Sequence, residues 1–450
     1  MKPRVRLSRW LSPGLGLKRW AILGGIALGL VVLGLWSMVN NRTAKQFTYD
    51  AVHFLQLNLP DLTFWQGLIC VLVGIVLMVY SSMQLSGRFK GLKGLNFDAY
   101  YEETIQANGP KIVVIGGGTG LSVLLRGLKQ YTSNLTAAVT VGDDGGSSGI
   151  LRETFDVIPV GDIRNCIVAL ADEQDVMEKL FSYRFAKGEG LKGHSLGNLL
   201  LLGLTAVQGN FQDAVANIDQ VLHISGRVLP ITMAPLTLVA KMNDGRRIVG
   251  ERHITDSEAA IDKLSIRPAN AEVLPEVLEA IAEADAIVLG PGSLYTSVIP
   301  NLCVGGVTEA LAKARGKVFY VCNVMTQPGE TTHYTVGDHL AAILRHSADG
   351  LVDYILADDG SVPESVPLAD FITGGGERVS IDADRIKSMG AELVAAPLVS
   401  QENPFRHESG RLAKALMGTL YDDHNFRLQR GLIKSYWDWQ TYKHRKELDM

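Results

Sequence analysis

The chain has 450 residues, of which 47% are hydrophobic and 20% are charged, and this composition excludes a disordered or collagen-like protein. The formal net charge is −4, but the part from Asn96 onward carries 32 basic and 45 acidic side chains. This acidic excess argues against non-specific nucleic-acid binding, which requires a positive surface. The four cysteines are far apart and match no zinc-binding spacing, so we predict neither a disulfide framework nor a structural zinc.

Two stretches near the N-terminus are long and apolar enough to cross a membrane. Residues 21–39 are 19 consecutive uncharged residues, and a second uncharged stretch covers residues 62–86. A helix of the first length is about 28 Å long, close to the hydrocarbon thickness of a bilayer. A cleaved signal peptide is the alternative, but the apolar run exceeds the usual ~7–15 residues and lacks a small-x-small cleavage site. We therefore predict a hairpin with spans at residues 21–39 and 62–83, joined by an extracytoplasmic loop at residues 40–61.

Basic residues predict the orientation of this hairpin. Six of the first 20 residues are Lys or Arg and none is acidic, while Arg88, Lys90 and Lys93 follow the second span. Lys and Arg concentrate on the cytoplasmic side of membrane proteins. We therefore expect a protein of the inner membrane with both termini in the cytoplasm. The cytoplasmic parts are a basic N-terminus (1–20), a juxtamembrane linker (84–109), a main domain (110–425) and a C-terminal tail (426–450).

The main domain opens with a strand, a glycine loop and a helix. Residues 111–115 (KIVVI) are β-branched, the loop GGGTG follows, and residues 121–129 have helical apolar spacing. This order is typical of a doubly wound parallel sheet, and it places backbone N–H groups and a helix N-terminus beside an anion. No Gly-Lys-Ser/Thr follows, so the loop is not a Walker A loop, and Leu121 replaces the last glycine of GxGxxG. A purely structural turn is the alternative.

Three later strand-like runs end in similar polar loops. Residues 136–141 lead into GDDGGSSG, residues 286–289 into GPGSLYTS, and residues 318–322 into NVMTQPGET. Parallel strands end at the same edge of a sheet, where open α/β sheets bind ligands, so we predict that these loops share one cleft. The adjacent Asp143 and Asp144 suit metal binding, hydroxyl recognition or acid–base chemistry, with a solvated turn as the alternative.

Two further polar clusters lie between these strands. The sequence GDIRN (161–165) opens a helical stretch, and GHSLGN (193–198) precedes an apolar helix. Ser195 and Asn198 are candidates either for ligand contacts or for helix capping. No nucleophile elbow is present in the sequence, so covalent catalysis is not predicted. The candidate ligand-binding residues of all these loops are Gly116, Gly117, Gly118, Thr119, Gly120, Asp143, Asp144, Gly145, Asp162, Arg164, Asn165, His194, Ser195, Asn198, Gly290, Gly292, Ser293, Tyr295, Asn323, Thr326 and Gln327.

Six of these segments, taken in order, resemble the YvcK family, the gluconeogenesis factors, which form a branch of the CofD-like superfamily. They are GGGTGLSVLLRGLK, TVGDDGGSSGILR, GDIRNCIVALAD, GHSLGNLLL, GPGSLYTSVIPNL and CNVMTQPGET. The resemblance covers residues 110–421. It implies a Rossmann-like three-layer α/β fold with a mostly parallel central sheet, and binding of UDP-sugars such as UDP-N-acetylglucosamine. Such proteins are linked to cell shape and peptidoglycan synthesis under gluconeogenic growth. Many are soluble, so here the hairpin implies tethering at the cytoplasmic face.

The CofD branch, named for 2-phospho-L-lactate transferase, implies a second set of roles. There the cleft binds a guanine nucleotide and a deazaflavin acceptor, and Asp143 and Asp144 match aspartates near the acceptor and a divalent metal. A transferase role and Mg²⁺ binding by these two residues are therefore open. The segment NPFRH (403–407) resembles a late family motif, which implies that Arg406 reaches a diphosphate. A surface cation is the alternative for Arg406.

We therefore expect a membrane-tethered UDP-sugar-binding regulator rather than an enzyme, with a CofD-type transferase as the alternative. A dehydrogenase is disfavoured because GGGTG lacks the dinucleotide fingerprint. The expected partners are a nucleotide ligand, the membrane and a cell-wall synthesis or regulatory protein; no nucleic acid is expected, and homo-oligomerisation is open. We expect the loops at 116–120 and 290–293 to supply backbone donors to a diphosphate. Asn198, Asn323 and Thr326 are the candidates for base or sugar contacts.

Overall fold

The computed structural model describes residues 17–38, 64–89, 106–171, 174–222, 224–257, 259–361, 376–399 and 406–423. The chain divides into two compact units, one formed by residues 1–105 with 432–450 and the other by residues 106–431. The predicted loop at 40–61 lies wholly outside the described residues, as do most of the linker and the whole C-terminal tail.

The first unit contains two long helices, α1 (Leu17–Met38) and α2 (Phe64–Phe89). Their apolar segments, Arg19–Met38 and Trp65–Gln84, have mean hydropathies of 2.1 and 2.0 and are long enough to cross a membrane. The second helix runs six residues beyond the predicted span end at residue 83, because the polar residues that follow still permit helical hydrogen bonding. By length and composition, both helices are candidate membrane spans.

The two helices pack against each other in antiparallel fashion through small residues. Ser81 Oγ donates to Trp20 O at 2.8 Å. A Cβ on Gly34 would lie 2.5 Å from Gly67 O, and a Cβ on Gly74 would lie 2.8 Å from Ala27 O. Small residues permit this close approach of helix backbones, which is how apolar helices associate where no water drives them together.

The second unit is built on ten strands in its described part, and seven of them form one parallel sheet. The strand order in this sheet is β10-β9-β8-β7-β1-β2-β3. The strands are β1 (Ile112–Gly116), β2 (Leu135–Val139), β3 (Arg227–Pro230), β4 (Thr237–Met242), β5 (Arg247–Val249), β6 (Ile261–Arg267), β7 (Ala286–Leu289), β8 (Lys317–Val321), β9 (Tyr354–Asp358) and β10 (Glu392–Ala396). This confirms the predicted parallel α/β fold.

Helices connect the strands and cover the sheet. They are α3 (Gly118–Leu128), α4 (Gly146–Phe155), α5 (Gly161–Leu170), α6 (Gln174–Ser182), α7 (Leu196–Gln208), α8 (Phe211–Leu222), α9 (Glu251–Thr255), α10 (Pro275–Glu283), α11 (Ile299–Leu302), α12 (Val307–Lys313), α13 (Val336–Arg345), α14 (Ala383–Ser388) and α15 (Ser409–Asp422). A π-helical turn, Leu294–Val298, precedes α11. The helix predicted at 121–129 begins three residues earlier, because Gly118 to Gly120 form its first turn.

The chain leaves the middle of the sheet in two directions. Strand β1 pairs with β2 on one side and with β7 on the other, with Ile112 opposite both Leu135 and Ala286. From β1 the chain proceeds to β2 and β3, whereas from β7 it proceeds to β8, β9 and β10. Because such crossovers are right-handed, the connecting helices of the two halves lie on opposite faces of the sheet. The boundary between β1 and β7 is therefore a topological switch point, where ligands bind in this class of fold.

The core lies where α3 packs on the sheet. Leu121, Leu124, Leu125 and Leu128 recur at helical spacing on α3, and all four are fully buried. Burial of one such side chain stabilises the fold by roughly 1.5–3 kcal/mol. These contacts fix the start of α3 beside the end of β1.

A second, smaller sheet of antiparallel strands has the order β5-β4-β6. Leu264 and Ile266 of β6 are buried, whereas Lys263, Ser265 and Arg267 are exposed. This alternation is typical of a sheet with one face on the core and one in solvent. The chain then returns through α10 to β7 of the main sheet.

Candidate functional site

Two glycine loops meet at the switch point of the main sheet. The loop after β1 contains Gly117 and Gly120, and the loop after β7 contains Pro291 and Gly292. A Cβ on Gly120 would lie 2.8 Å from Pro291 O, and one on Gly292 would lie 3.1 Å from Gly117 O. Any larger residue at position 120 would force the loops apart, so glycine is required there by the close approach.

The N-terminus of α3 opens between these loops without a side-chain cap. Its N-cap residue is Gly117, which makes no side-chain cap hydrogen bond. Gly118 has φ +69°, in the left-handed region that favours glycine, and its N–H is bonded to the Asp162 carboxyl. The N–H groups of Thr119 and Gly120 belong to the first helical turn, where a helix supplies no partner. These donors and the positive end of the helix dipole form a site for an anion.

A cleft of about 430 Å³ lies above these donors. Its far wall comes from the loop after β8, where the Thr326 hydroxyl accepts from Glu377 N at 2.8 Å and Asn323 Nδ2 donates to Gln327 Oε1 at 3.3 Å. Ten of the predicted residues line this cleft: Gly117, Gly118, Thr119, Gly120, Gly292, Ser293, Asn323, Thr326, Gln327 and Arg406. Four strand-end loops were expected to share one cleft, and the structure brings three of them together here.

Two carboxyl groups that the sequence did not single out also line the cleft, Glu251 and Glu330. Burial, together with the neighbouring carboxylates, raises the pKa of Glu251 to about 8. Burial also raises the pKa of Glu330, whose side chain accepts from the Ser293 hydroxyl and, at 3.4 Å, from Thr255 Oγ1. At neutral pH Glu251 is therefore mostly protonated, so its carboxyl does not repel an anion at the start of α3.

The aspartate pair lies in an adjoining hollow of about 230 Å³, lined also by Gly145, Arg252 and Asp256. Glu251 and Thr255 line both cavities and form the wall between them. Asp144 accepts from Glu251 N at 2.9 Å and from Arg252 N at 3.1 Å, so its carboxylate caps the start of α9. Asp143 accepts from Gly145 N at 2.8 Å, and burial raises its pKa.

The donors of this hollow can be tested against a bound metal ion. Across the residues that the structure describes, no group of three or more His, Cys, Asp or Glu side chains is placed to hold a metal. Both Asp144 oxygens already accept backbone hydrogen bonds. A Mg²⁺ ion that keeps water and phosphate ligands needs only one or two carboxylates, and Asp143 fits that requirement better than Asp144.

Four of the remaining predicted residues meet in a buried polar network instead. Arg164 Nη1 donates to Ser195 Oγ at 2.6 Å and to Asn198 Oδ1 at 3.2 Å, and Nη2 donates to Asn165 Oδ1 at 2.7 Å. Asn198 Nδ2 in turn donates to Ser147 Oγ at 3.2 Å. The network joins the starts of α4, α5 and α7, and Ser195 is also the N-cap of α7.

Five predicted residues lie beside the network or behind the cleft. His194 Nδ1 bonds the Ser147 hydroxyl at 2.9 Å, and Asp162 lies beneath the glycine loop with its pKa raised to about 6 by burial. Gly116 ends β1 inside the core, and Gly290 follows β7 behind the loop. Tyr295 is fully buried, with its hydroxyl 2.9 Å from that of Tyr334.

Sequence reasoning missed several cleft residues besides Glu251 and Glu330. Four of them lie in the predicted motifs, within one helical turn of a predicted site residue: Val123, Thr296, Ser297 and Met325. Glu251 and Thr255 lie on α9, which connects β5 and β6 of the small sheet and follows no strand of the main sheet. The only local signal for Glu251 is Gly250, at φ +97°, immediately before a short helix.

Comparison with known proteins supports one family. Residues 112–399 match the family model for 2-phospho-L-lactate transferase CofD. A Clostridium acetobutylicum protein called a putative gluconeogenesis factor is 39% identical over 448 residues, covering 98% of each chain, so it also aligns with the hairpin segment. The Bacillus subtilis gluconeogenesis factor is 45% identical over 312 residues, covering 69% of this chain and 98% of the relative.

A solved structure agrees with this assignment. The crystal structure of a protein from Bacillus halodurans superposes with a TM-score of 0.66 at 44% sequence identity, covering 69% of this chain and 99% of that one. The hairpin segment is therefore shared with some relatives, while others are about as long as the main domain alone. The chain belongs to the CofD family, and within it to the group of the gluconeogenesis factors, the YvcK proteins.

Proposed function

We propose that this protein is a membrane-tethered regulator that binds a nucleoside-diphosphate sugar of the UDP-sugar type in the cleft between β1 and β7. The observation that carries the proposal is the uncapped start of α3, where Thr119 and Gly120 present backbone N–H groups to the cleft. A diphosphate is the part of such a ligand that matches these donors. The cleft volume of about 430 Å³ lies in the range of small-molecule pockets.

The other walls assign roles to the rest of the ligand. Arg406 is the one Lys or Arg among the described lining residues, and its guanidinium suits a phosphate oxygen. Asn323 and Thr326 lie on the wall after β8, where an amide and a hydroxyl can recognise a base or a sugar. A neutral Glu251 carboxyl can donate a hydrogen bond to the ligand, which an ionised one cannot.

Tethering is the second part of the proposal. Helices α1 and α2 have the length, hydropathy and close packing of a membrane hairpin. A sensor of cell-wall precursor supply would act where the wall machinery is located, and such a sensor gains from being held at the membrane. We therefore propose that the protein links nucleotide-sugar supply to peptidoglycan synthesis and cell shape during gluconeogenic growth.

One observation favours a second candidate, a CofD-type transferase. The hollow around Asp143 and Asp144 shares the Glu251 wall with the nucleotide cleft, which leaves room for a second substrate. If Mg²⁺ binds, Asp143 and the ligand phosphates would hold it, and the ion would neutralise charge on the transferred group. The regulator remains preferred because the relatives described above, at 39% and 45% identity, carry the name gluconeogenesis factor.

The test is calorimetric titration of the detergent-solubilised full chain with UDP-N-acetylglucosamine, GDP and NAD in parallel. We expect preferential binding of the UDP-sugar, with the ligand recovered unchanged. Preference for GDP, or consumption of a nucleotide-linked donor, would replace the regulator with the transferase. Absence of binding by all three ligands in a folded chain would refute a nucleotide site altogether.

A further inference from the structure

The outer face of the small sheet carries an unusual arrangement of cations. In β4 the side chain of Lys241 is exposed while its neighbours Ala240 and Met242 are buried. Lys241 pairs with Arg247 of β5 and with Lys263 of β6, both of them exposed. Residues that lie directly opposite in antiparallel strands share one face. Three cations therefore lie side by side across all three strands.

A fourth and a fifth cation extend this row along the same face. Arg267 of β6 is exposed and pairs with Thr237 of β4, four positions before Lys241. Arg152 reaches the same place from α4, because its Nη2 donates to Thr237 Oγ1 at 3.2 Å. We call Arg152, Lys241, Arg247, Lys263 and Arg267 the basic row.

Acidic side chains balance two of these five cations. Asp262 pairs with Lys241 at 2.7 Å, and the charge of Arg152 interacts with Asp143. For Arg247, Lys263 and Arg267, the described part of the chain offers no ion pair within 4.0 Å. Like charges placed directly opposite each other destabilise a sheet, and this row lies in a domain whose overall charge is acidic. A purely solvated sheet face would gain nothing from such a row, which points to an anionic partner.

The residues between the cations indicate which kind of partner fits. Val249 of β5 is 42% exposed on this face, whereas Val239, which lies opposite it in β4, is buried. Cations around one exposed aliphatic side chain suit the headgroup layer of a bilayer, where basic side chains meet phosphate and an apolar side chain meets the acyl boundary. Nucleic acid is a poorer match, because the acidic remainder of the domain opposes a polyanion.

We propose that the basic row binds anionic lipid headgroups and docks the main domain on the membrane surface. The inference rests on the proposed membrane tether, because α1 and α2 would hold the domain beside the bilayer and make docking an intramolecular event. A few surface cations give weak, reversible contact on their own, and a tether raises the effective concentration of the second contact. The contact is therefore expected to respond to lipid charge and to salt.

The test uses the full chain in lipid nanodiscs, made either of phosphatidylcholine alone or with about 30% phosphatidylglycerol. Val249→Cys carries an environment-sensitive dye, and the unsubstituted chain measures the labelling of Cys70, Cys166, Cys303 and Cys322. We expect the dye to shift to the blue in anionic discs and to become several-fold less quenched by acrylamide. Both changes should vanish at about 0.5 M NaCl, where charges are screened within a few ångströms.

A matched pair of charge reversals separates the basic row from total charge. Arg247→Glu with Lys263→Glu should abolish the protection in anionic discs. Lys313→Glu with Arg315→Glu changes the net charge by the same amount at exposed positions outside the row, and should leave the protection intact. Equal protection in both kinds of disc would point to a protein contact instead, and equal behaviour of the two double variants would also overturn the proposal.

Two further outcomes separate a failure of lipid docking from a failure of the membrane tether. If inorganic phosphate displaces the dye contact more than chloride does at equal ionic strength, the row binds soluble anions and lipid docking is wrong. A chain that fails to co-purify with the discs would refute the tether itself. That observation is separate from a disc-bound chain whose Val249→Cys dye shows no protection, which refutes only the docking.

Discussion

The cleft and the buried network are built from the same kinds of polar loop residues, yet their polar groups point in different directions. In the cleft, the first-turn N–H groups of α3 face an open space of about 430 Å³. In the network, Arg164, Ser195 and Asn198 satisfy one another and are at most 8% exposed. A polar cluster whose hydrogen bonds close among themselves stabilises the fold, whereas one with unfilled donors beside a cavity is available to a ligand.

The largest expected effect is on the network side of this comparison. Arg164→Ala would leave three acceptors without their donor, and the two buried ones, on Ser195 and Asn198, each cost roughly 1–3 kcal/mol when unsatisfied. We expect amide hydrogen exchange in α5 and α7 to accelerate correspondingly, since exchange reports local opening. UDP-sugar affinity should change less than about threefold, because Arg164 does not line the cleft. A large loss of affinity without loss of protection would place Arg164 in the binding site instead.

Gly120→Val should lower the affinity for the ligand rather than the stability of the buried network. Its Cβ would lie 2.8 Å from Pro291 O, so the two loops must separate and the donors move away from the diphosphate. We expect affinity to fall by about 30-fold or more, equivalent to roughly 2 kcal/mol, in calorimetric titration. Gly203→Ala is the control, because nothing lies within 4 Å of an added Cβ at that position of α7. If Gly120→Val binds like the unsubstituted chain, the glycine loop does not hold the ligand.

Gly118→Val acts through the backbone rather than through a clash. An added Cβ at this position has Ser297 Oγ as its nearest neighbour, at 3.7 Å, but φ is +69°. A β-branched residue is strained in that conformation by about 1–3 kcal/mol. Binding of the UDP-sugar should therefore be lost as the loop rearranges. A folded Gly118→Val variant with normal affinity would show that the loop conformation is not needed for binding.

The aspartate pair gives a smaller and more local effect. Asp144→Asn keeps one cap acceptor for α9 and removes the charge, so we expect a loss of about 1 kcal/mol in the protection of that helix. UDP-sugar affinity should be spared if Asp143 and Asp144 serve a metal or a second substrate. Loss of affinity in a folded Asp144→Asn chain would contradict this division between cleft and hollow.

Local sequence signals predicted the fold and about half of the chosen site residues as cleft residues. The run KIVVI, the glycine loop and the α3 leucines are one contiguous unit, so their periodicity and order were sufficient. Arg164, Ser195 and Asn198 carried the same polar signal, but whether their hydrogen bonds close depends on how α5 and α7 pack. Glu251 reaches the cleft from the helix that connects β5 and β6 of the small sheet, and no local pattern predicts such a long-range contact. Residue type therefore predicts where polar clusters occur. Only tertiary packing decides whether their donors face a ligand or are bonded within the fold.

The smallest expected effect concerns a histidine outside both regions, and it tests the stability of the small sheet on which α9 depends. His346 Nε2 accepts from Leu264 N of β6 at 2.9 Å, and Nδ1 bonds Ala342 O at 2.7 Å. Burial lowers the pKa of His346 below its usual 6.5. The folded state disfavours the protonated imidazole. The stabilisation that neutral His346 gives is therefore present above pH 6.5 and is lost as the pH falls through that value toward the folded pKa.

Acidification from pH 7.5 to 5.5 should therefore lower the free energy of opening β6 away from α13 by up to about 1 kcal/mol, the usual net value of one hydrogen bond. The measurement is hydrogen exchange in peptides covering β6, corrected for the intrinsic pH dependence. His346→Gln should flatten the profile, since an amide does not titrate. His339 and His407 also have lowered pKa values and add the same sign of dependence, so the difference between the two chains, rather than the total slope, reports His346. If the difference in β6 exchange between the unsubstituted chain and His346→Gln does not change between pH 7.5 and 5.5, the Leu264 contact does not anchor the small sheet.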